Sequence, residues 1–181
     1  GTGAMYENRK RAGMSTPPVT GESSLKYFLD RLADAKPAPH GEHILLVHNV
    51  TLKQDDIDAA KKSMDNVFWA ICPLSNIFIH NSLPPVRLMR ENGLDICLGT
   101  DSLSSNDDLD MMAELVCLHE NFPEVPMAEL FRWACLNGAR FLGKESVLGS
   151  IAPGKKPGLV IVRGFDENGC INGMSRSERL V

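Results

Sequence analysis

The sequence holds no apolar run long enough to cross a bilayer, and its first residues lack the apolar core of a signal peptide. A membrane partner is therefore not expected. It has no C-x-x-C pair: the five cysteines (Cys72, Cys97, Cys117, Cys135, Cys170) are scattered, four of them in apolar strand or helix patterns. An odd count so placed argues against a disulfide framework and predicts reduced, buried thiols in a cytoplasmic protein. No block of like charge stands out from a formal net charge of −4, so neither nucleic acid nor an anionic surface is an expected partner. No glycine-rich turn follows any strand-like run. "LGTDSLSSN" has one glycine, placed before the carboxylate, which disfavours a flavodoxin-like nucleotide-binding domain. No H-x-H or H-x-x-E-H occurs, so the usual zinc motifs are missing as well.

What is present is an ordinary globular composition, 43% hydrophobic and 23% charged over 181 residues, enough for one domain with a sizeable core. Residues 1–21 show little periodicity and read as a long loop. "SSLKYFLDRLADA" sets Leu25, Phe28, Leu29 and Leu32 on one helical face, with Ser23 or Ser24 as cap, and "KPAPHGE" breaks that helix. "HILLVHNV", "NVFWAICP" and "LDICLGTD" are apolar runs of strand length. "TLKQDDIDAAKKSM" reads as a helix capped near Thr51, and "LSNIFIHNSLPP" as a loop. "PVRLMRENG" reads as a short helix ending on glycine, and "NDDLDMMAELVCLHENF" as a helix opened by acidic residues. A further helix begins at Pro126. From about Leu148 the chain changes to glycine-rich turns and short Val/Ile runs without a helix. Strands that are apolar throughout, alternating with helices, predict a parallel α/β architecture.

In such folds the site lies at the carboxyl ends of the strands. Polar residues follow all three runs: His48 and Asn49, Ser75 and Asn76, Asp101 and Ser102. Asp101 is the most informative. It stands directly after a buried strand and several residues before the next helix, where an ionised oxygen suits a metal ligand or a general base. A helix cap or turn is the plainer alternative. His48 holds the same place on its strand, with a hydrogen-bonded buried histidine as its alternative. Ser75 and Asn76 are equally good turn formers. His40, His43, His80 and His119 read as loop or helix-surface residues, and Cys72 and Cys97 as core packing.

The ordered set "LLVHNVTL", "CPLSN", "PPVRLMRENGLDICLGTDSLSSNDDLDMMAEL", "GARFLG" and "LGSIAPGKKPGLVIV" resembles the amidohydrolase superfamily over about residues 44 to 165. Its nearest branch holds chlorohydrolases, cytosine deaminases and S-adenosylhomocysteine deaminases. The resemblance implies an α/β fold: the carboxyl-terminal part of a (β/α)8 TIM barrel, about strands six to eight, in residues 1–147, and strands of a small β-sandwich in 148–181. It implies a metal-dependent hydrolase that cleaves C–N or C–halide bonds of a small, heterocyclic substrate through a metal-activated water. Asp101 would be the metal-ligating and catalytic carboxylate and take a proton from the water. His48 would act on the water or the reacting centre and stabilise developing charge. Ser102 and Asn76 would line the substrate pocket. The cofactor implied is one divalent metal ion, zinc first, with iron or nickel as alternatives.

Two departures accompany the resemblance. The family's H-x-H and its fifth-strand His-x-x-Glu are missing, so the expected partner is an amino-terminal half of the same protein that supplies the other ligands. A homodimer is a further option. "GKKPGLVIV" stands where the family reads Gly-Lys-x-Ala-Asp-Leu, which affects a local turn. The competing reading is a non-catalytic fragment or binding module that keeps the rim without a complete metal site.

Overall fold

The computed structural model describes residues 3–16, 18–34 and 42–180. Three strands, β1 (Ile44–Val47), β2 (Val67–Ile71) and β3 (Asp95–Leu98), pair in parallel in the order β1-β2-β3. Ile44 faces Val67, and Trp69 faces Ile96. Successive side chains point to opposite faces, and both faces are apolar. Ile44, Leu46, Trp69, Ile71, Ile96 and Leu98 join the main core beneath the helices, while Leu45, Phe68, Ala70 and Cys97 form a smaller cluster with Phe141 on the other side. This is why the strands read as continuous apolar runs.

The helices, in chain order, are α1 (Ala4–Arg11), α2 (Ser24–Asp34), α3 (Gln54–Ser63), α4 (Pro73–His80), α5 (Val86–Glu91), α6 (Met111–Asn121), α7 (Met127–Arg132) and α8 (Gly138–Phe141). A π-helical turn, Trp133–Asn137, joins α7 to α8. α3 connects β1 to β2 and buries Ile57 and Ala60. α4 and α5 connect β2 to β3. Ser23 caps α2 through its hydroxyl, which accepts from Lys26 N–H at 3.1 Å and donates to Asp56 on α3. α5 ends with Gly93 at φ +63. The Arg90 guanidinium grips the Glu129 carboxylate at 2.9 and 2.8 Å and ties α5 to α7. Residues 148–180 hold no helix. β4 (Val160–Arg163) and β5 (Arg176–Arg179) pair antiparallel, and Ile171 between them enters the main core. Among the described residues, no helix is long and apolar enough to cross a membrane.

Several local expectations are corrected. Residues 4–11, read as loop, are helical. α1 has no apolar stripe to betray it and relies on propensity and on charge order, with Glu7 in the first turn and Arg9, Lys10 and Arg11 in the last. "LSNIFIH", also read as loop, lies in α4. Pro73 occupies the first helical position, where its missing N–H costs nothing, and Asn81 closes the helix in the left-handed region. α3 begins at Gln54 rather than near Thr51, with the Asp56 carboxylate accepting from Lys53 N–H at 3.0 Å. α6 begins at Met111, because Asp110 caps it by accepting from Met112 N–H at 2.8 Å. Asp107 and Asp108 therefore stay in the loop. Cys72, Cys97 and Cys117 are buried as expected, but Cys135 is exposed and Cys170 half-buried. All five cysteines are free thiols.

Candidate active site at the strand ends

The parallel ladder runs one residue past the last residues of β1 and β3. His48 N–H donates to Ala70 O at 2.9 Å, and Gly99 N–H donates to Ile71 O at 3.0 Å. The backbone then bends sharply. His48 (φ 72), Asn49 (φ 58) and Asp101 (φ 58) all adopt left-handed conformations. Each such residue costs roughly 1–3 kcal/mol and persists only where its surroundings over-determine it. The Asn49 amide does so at the first bend by donating to Leu46 O at 2.9 Å and to Ala70 O at 3.1 Å. Among the described residues, the other non-glycine ones with positive φ are Asn66 and Asn81, a type that visits this region readily. A histidine and an aspartate held there on two strand ends mark the rim as a functional candidate.

The first turn of α4 fills the space between those ends. Ser75 and Asn76 are fully buried. Asn76 Oδ1 lies 2.9 Å from His48 Nδ1, and Asn76 Nδ2 donates to His48 O at 3.4 Å. The second contact orients the amide, so the imidazole carries its proton on Nδ1 and presents Nε2. That atom lies 3.8 Å from Asp101 Oδ2, too far for a direct hydrogen bond. Ser75 Oγ and Ser105 Oγ each lie 2.8 Å from the same Oδ2 and 2.9 Å from one another. Two hydroxyl protons serve this triangle. They hold the Asp101 carboxyl below its usual range, Ser105 first and Ser75 next, against partial desolvation. The result is an ionised carboxylate and an imidazole lone pair converging on one gap, which suits proton transfer or coordination.

His48, Asn76 and Asp101 are thus brought together as the sequence reading expects. Ser102 is not brought to them: its side chain is exposed, and its hydroxyl accepts from Ser104 N–H at 3.3 Å. Ser105 takes the place beside Asp101 and was missed. In a run of small polar residues, nothing in sequence says which hydroxyl turns inward. Ser75 is a partner of Asp101 rather than only a turn former. Glu114 was missed too. It is fully buried on the apolar face of α6, an unusual place for a carboxylate and the one signal that could have exposed it.

Cys72 and Cys97 pack as core residues. Burial pushes the Cys72 thiol up to about 12, reinforced by the charges of Asp101 and Glu114, and the Cys97 thiol up to about 11. Neither is a nucleophile near neutral pH. His43 sits before β1, its Nδ1 2.5 Å from Phe141 O and its ring 5.2 Å from that of Phe68. His119 is half-buried on α6, its Nδ1 without a hydrogen-bond partner among the described residues. His80 is exposed at the end of α4 and helps to line a cavity of about 370 Å³, together with His48, Asn49, Val47 and Phe28. His40 lies outside the described residues.

Among the described residues, no group of three or more His, Cys, Asp and Glu could hold a metal ion. A catalytic zinc takes three protein ligands. The rim therefore fits part of a metal's donor set, with Asp101 as the charged donor, and not the whole of it.

The chain is similar to proteins of known activity in sequence and in fold. 5-Methylthioadenosine/S-adenosylhomocysteine deaminase of Moorella thermoacetica is 35% identical over 126 residues, 66% of this chain and 29% of that protein. Helicobacter pylori aminofutalosine deaminase, solved in complex with methylthio-coformycin, superposes with a TM-score of 0.66 at 26% identity, over 92% of this chain and 39% of the other. An adenosine deaminase from Xanthomonas campestris with bound zinc superposes with a TM-score of 0.59 at 26% identity, over 86% and 38%. The chain thus spans less than two-fifths of the length of each of these relatives. The sequence model of the amidohydrolase family matches residues 20–180, and the chain belongs to that family.

Proposed function

We propose that this chain carries one side of the active site of a metal-dependent hydrolase that deaminates a small heterocyclic substrate, an adenosine-type nucleoside first. The observation that carries the reading is Asp101: an ionised carboxylate in a left-handed bend, fixed by two buried hydroxyls and facing His48 Nε2 at 3.8 Å. Support for the substrate class comes from the relatives named as deaminases of methylthioadenosine and S-adenosylhomocysteine. Support for zinc comes from the zinc-bound neighbour. In this reading β1 to β3 are strands six to eight of a (β/α)8 barrel, residues 1–147 belong to that barrel, and β4 and β5 belong to a small β-sandwich. The protein works in the cytoplasm, where five free thiols stay reduced.

Asp101 would hold the metal together with donors from beyond the described residues. A divalent metal, when bound, lowers the pKa of water towards about 7 and polarises the attacked carbon. Asp101 then takes the proton as the C–O bond forms and returns it to the amine nitrogen as the C–N bond breaks, so water is consumed and ammonia released. His48, held through Nδ1 by Asn76, turns Nε2 to the water or the reacting centre and steadies the charge that develops there. The loop at Ser102 borders the substrate, and Asn76, fully buried, acts on it only through His48.

The test is Asp101→Asn in the complete enzyme, which keeps size and loses charge and proton-accepting capacity. Turnover should fall at least about 10²–10⁴-fold, the range for general acid–base work. Metal content by elemental analysis should fall less, because other donors hold most of the affinity. His48→Ala should keep its metal and lose turnover. Near-normal turnover of Asp101→Asn on a panel of aminated and halogenated heterocycles would reduce the carboxylate to a turn former and sink the reading.

A further inference from the structure

Glu114 lies in the first turn of α6, behind the rim, with no exposed surface. Its two oxygens have different partners. Oε1 accepts from Asn106 Nδ2 at 2.7 Å, and Oε2 accepts from the backbone N–H of Leu74 at 2.9 Å. Leu74 immediately precedes Ser75, and Asn106 immediately follows Ser105. These are the two serines whose hydroxyls hold Asp101. The second amide hydrogen of Asn106 goes to Thr100 O at 2.9 Å, the carbonyl directly before the left-handed Asp101.

We propose that Glu114 is a positioning residue for Asp101: one buried carboxylate spaces both serine arms and, through Asn106, pins the bend that aims the catalytic oxygen. The proposal rests on the role given to Asp101 above. The chemistry explains why a carboxylate is needed. Both partners are N–H donors, so the residue between them must accept twice. A glutamine would set its own NH₂ against one of them, and an apolar side chain would leave both buried and unpaired. Packing alone does not explain the choice, because burying a second carboxylate near Asp101 is costly. Burial, with the charges of Asp101 and Asp110, pushes the Glu114 carboxyl above its ordinary range even against its two hydrogen bonds.

The experiment compares Glu114→Gln in the wild-type enzyme and in a Ser75→Ala/Ser105→Ala background, with hydrogen exchange read by mass spectrometry. In the wild-type background kcat should fall about 10–100-fold, the usual cost of removing a supporting partner, with KM nearly unchanged. Exchange should quicken at 72–76 and 99–106 but not in β1 and β2. In the serine-less background the further loss should shrink to the part that runs through Asn106 and the bend, because residues that act through one another are not additive. Asn106→Ala, which leaves α6 untouched, should loosen 99–106 alone. Full additivity, unchanged exchange at 99–106, or exchange that quickens along the whole chain would overturn the proposal. If Asp101→Asn itself keeps its turnover, the enzyme reading falls. The exchange results then judge the positioning of the bend by themselves.

Discussion

Asp101 keeps its charge through two hydroxyls rather than through a nearby cation in hydrogen-bond contact. Removing Ser75 Oγ and Ser105 Oγ together takes away donors that favour the ionised form, so the carboxyl pKa must rise. The acid limb of the activity profile of Ser75→Ala/Ser105→Ala should accordingly move to higher pH. Stability carries the same sign. A depressed carboxyl contributes stability above its ordinary value and loses it as pH falls through the folded value. Denaturant titrations between neutral and acid pH should therefore show a shallower acid loss in the double variant than in the wild type. The thiols give an independent residue-scale test. Cys72 is pushed up to about 12, Cys97 to about 11 and Cys117 to about 11, burial being the first cause in each. Ellman's reagent should reach them only after unfolding. Half-buried Cys170 should react in the native protein, and Cys135 more slowly, since burial raises its thiol although the residue is exposed. Fast native labelling of Cys72 would contradict the packing of α4 against the rim.

At the scale of elements, the π-helical turn between α7 and α8 has a consequence that glycine substitutions can separate. Gly149 has φ +79, and a Cβ there would lie 2.6 Å from Ala139 Cβ and 2.9 Å from Leu136 Cα. Gly154 has a similar φ of +84 but no atom within 4 Å. Gly149→Ala combines overpacking with a strained backbone and should destabilise by about 1–3 kcal/mol beyond Gly154→Ala, which carries the conformational cost alone. Urea denaturation of the pair measures the difference. Equal losses would mean that the segment after α8 does not pack on the π turn. α4 shows how context decides an element. Its apolar residues Ile77 and Phe78 face outward, while Ser75 and Asn76 are buried. That inversion is what delivers two polar side chains to the site.

At the scale of the molecule, the three-stranded sheet leaves β1 and β3 each with one unpaired edge among the described strands. Open parallel edges are templates for pairing, and parallel sheets ordinarily have both faces covered. The surface adds Ile151 and Met174 at 83% and 76% exposure. The 181-residue polypeptide should therefore self-associate or require a companion segment, which light scattering after gel filtration would show. A monomer with one cooperative thermal transition would count strongly against this. Among the described residues no group of three or more His, Cys, Asp and Glu comes together, and at the rim Asp101 is the charged donor a metal would meet.

The three strands and their parallel pairing were legible in the sequence, because apolar runs such as "VFWAI" bury both faces of a strand and need no partner to be recognised. The rim positions of His48 and Asp101 were legible for a related reason: position after a parallel strand places a residue on the rim whatever the loops do, whereas Asn76 reaches it on α4. Ser105 and Glu114 were not legible. A hydroxyl among several serines, or a glutamate in a helix, becomes a site residue only when the folding of other segments leaves its hydrogen bonds no alternative. Ser105 turns to Asp101 because Asn106 is held by Glu114, and Glu114 is held because α4 sets Leu74 N–H against it. Local pattern determined which residues reach the rim. Tertiary packing alone decided which of them are locked, since a hydrogen bond across 26 or 40 residues of chain has no trace in the sequence between them.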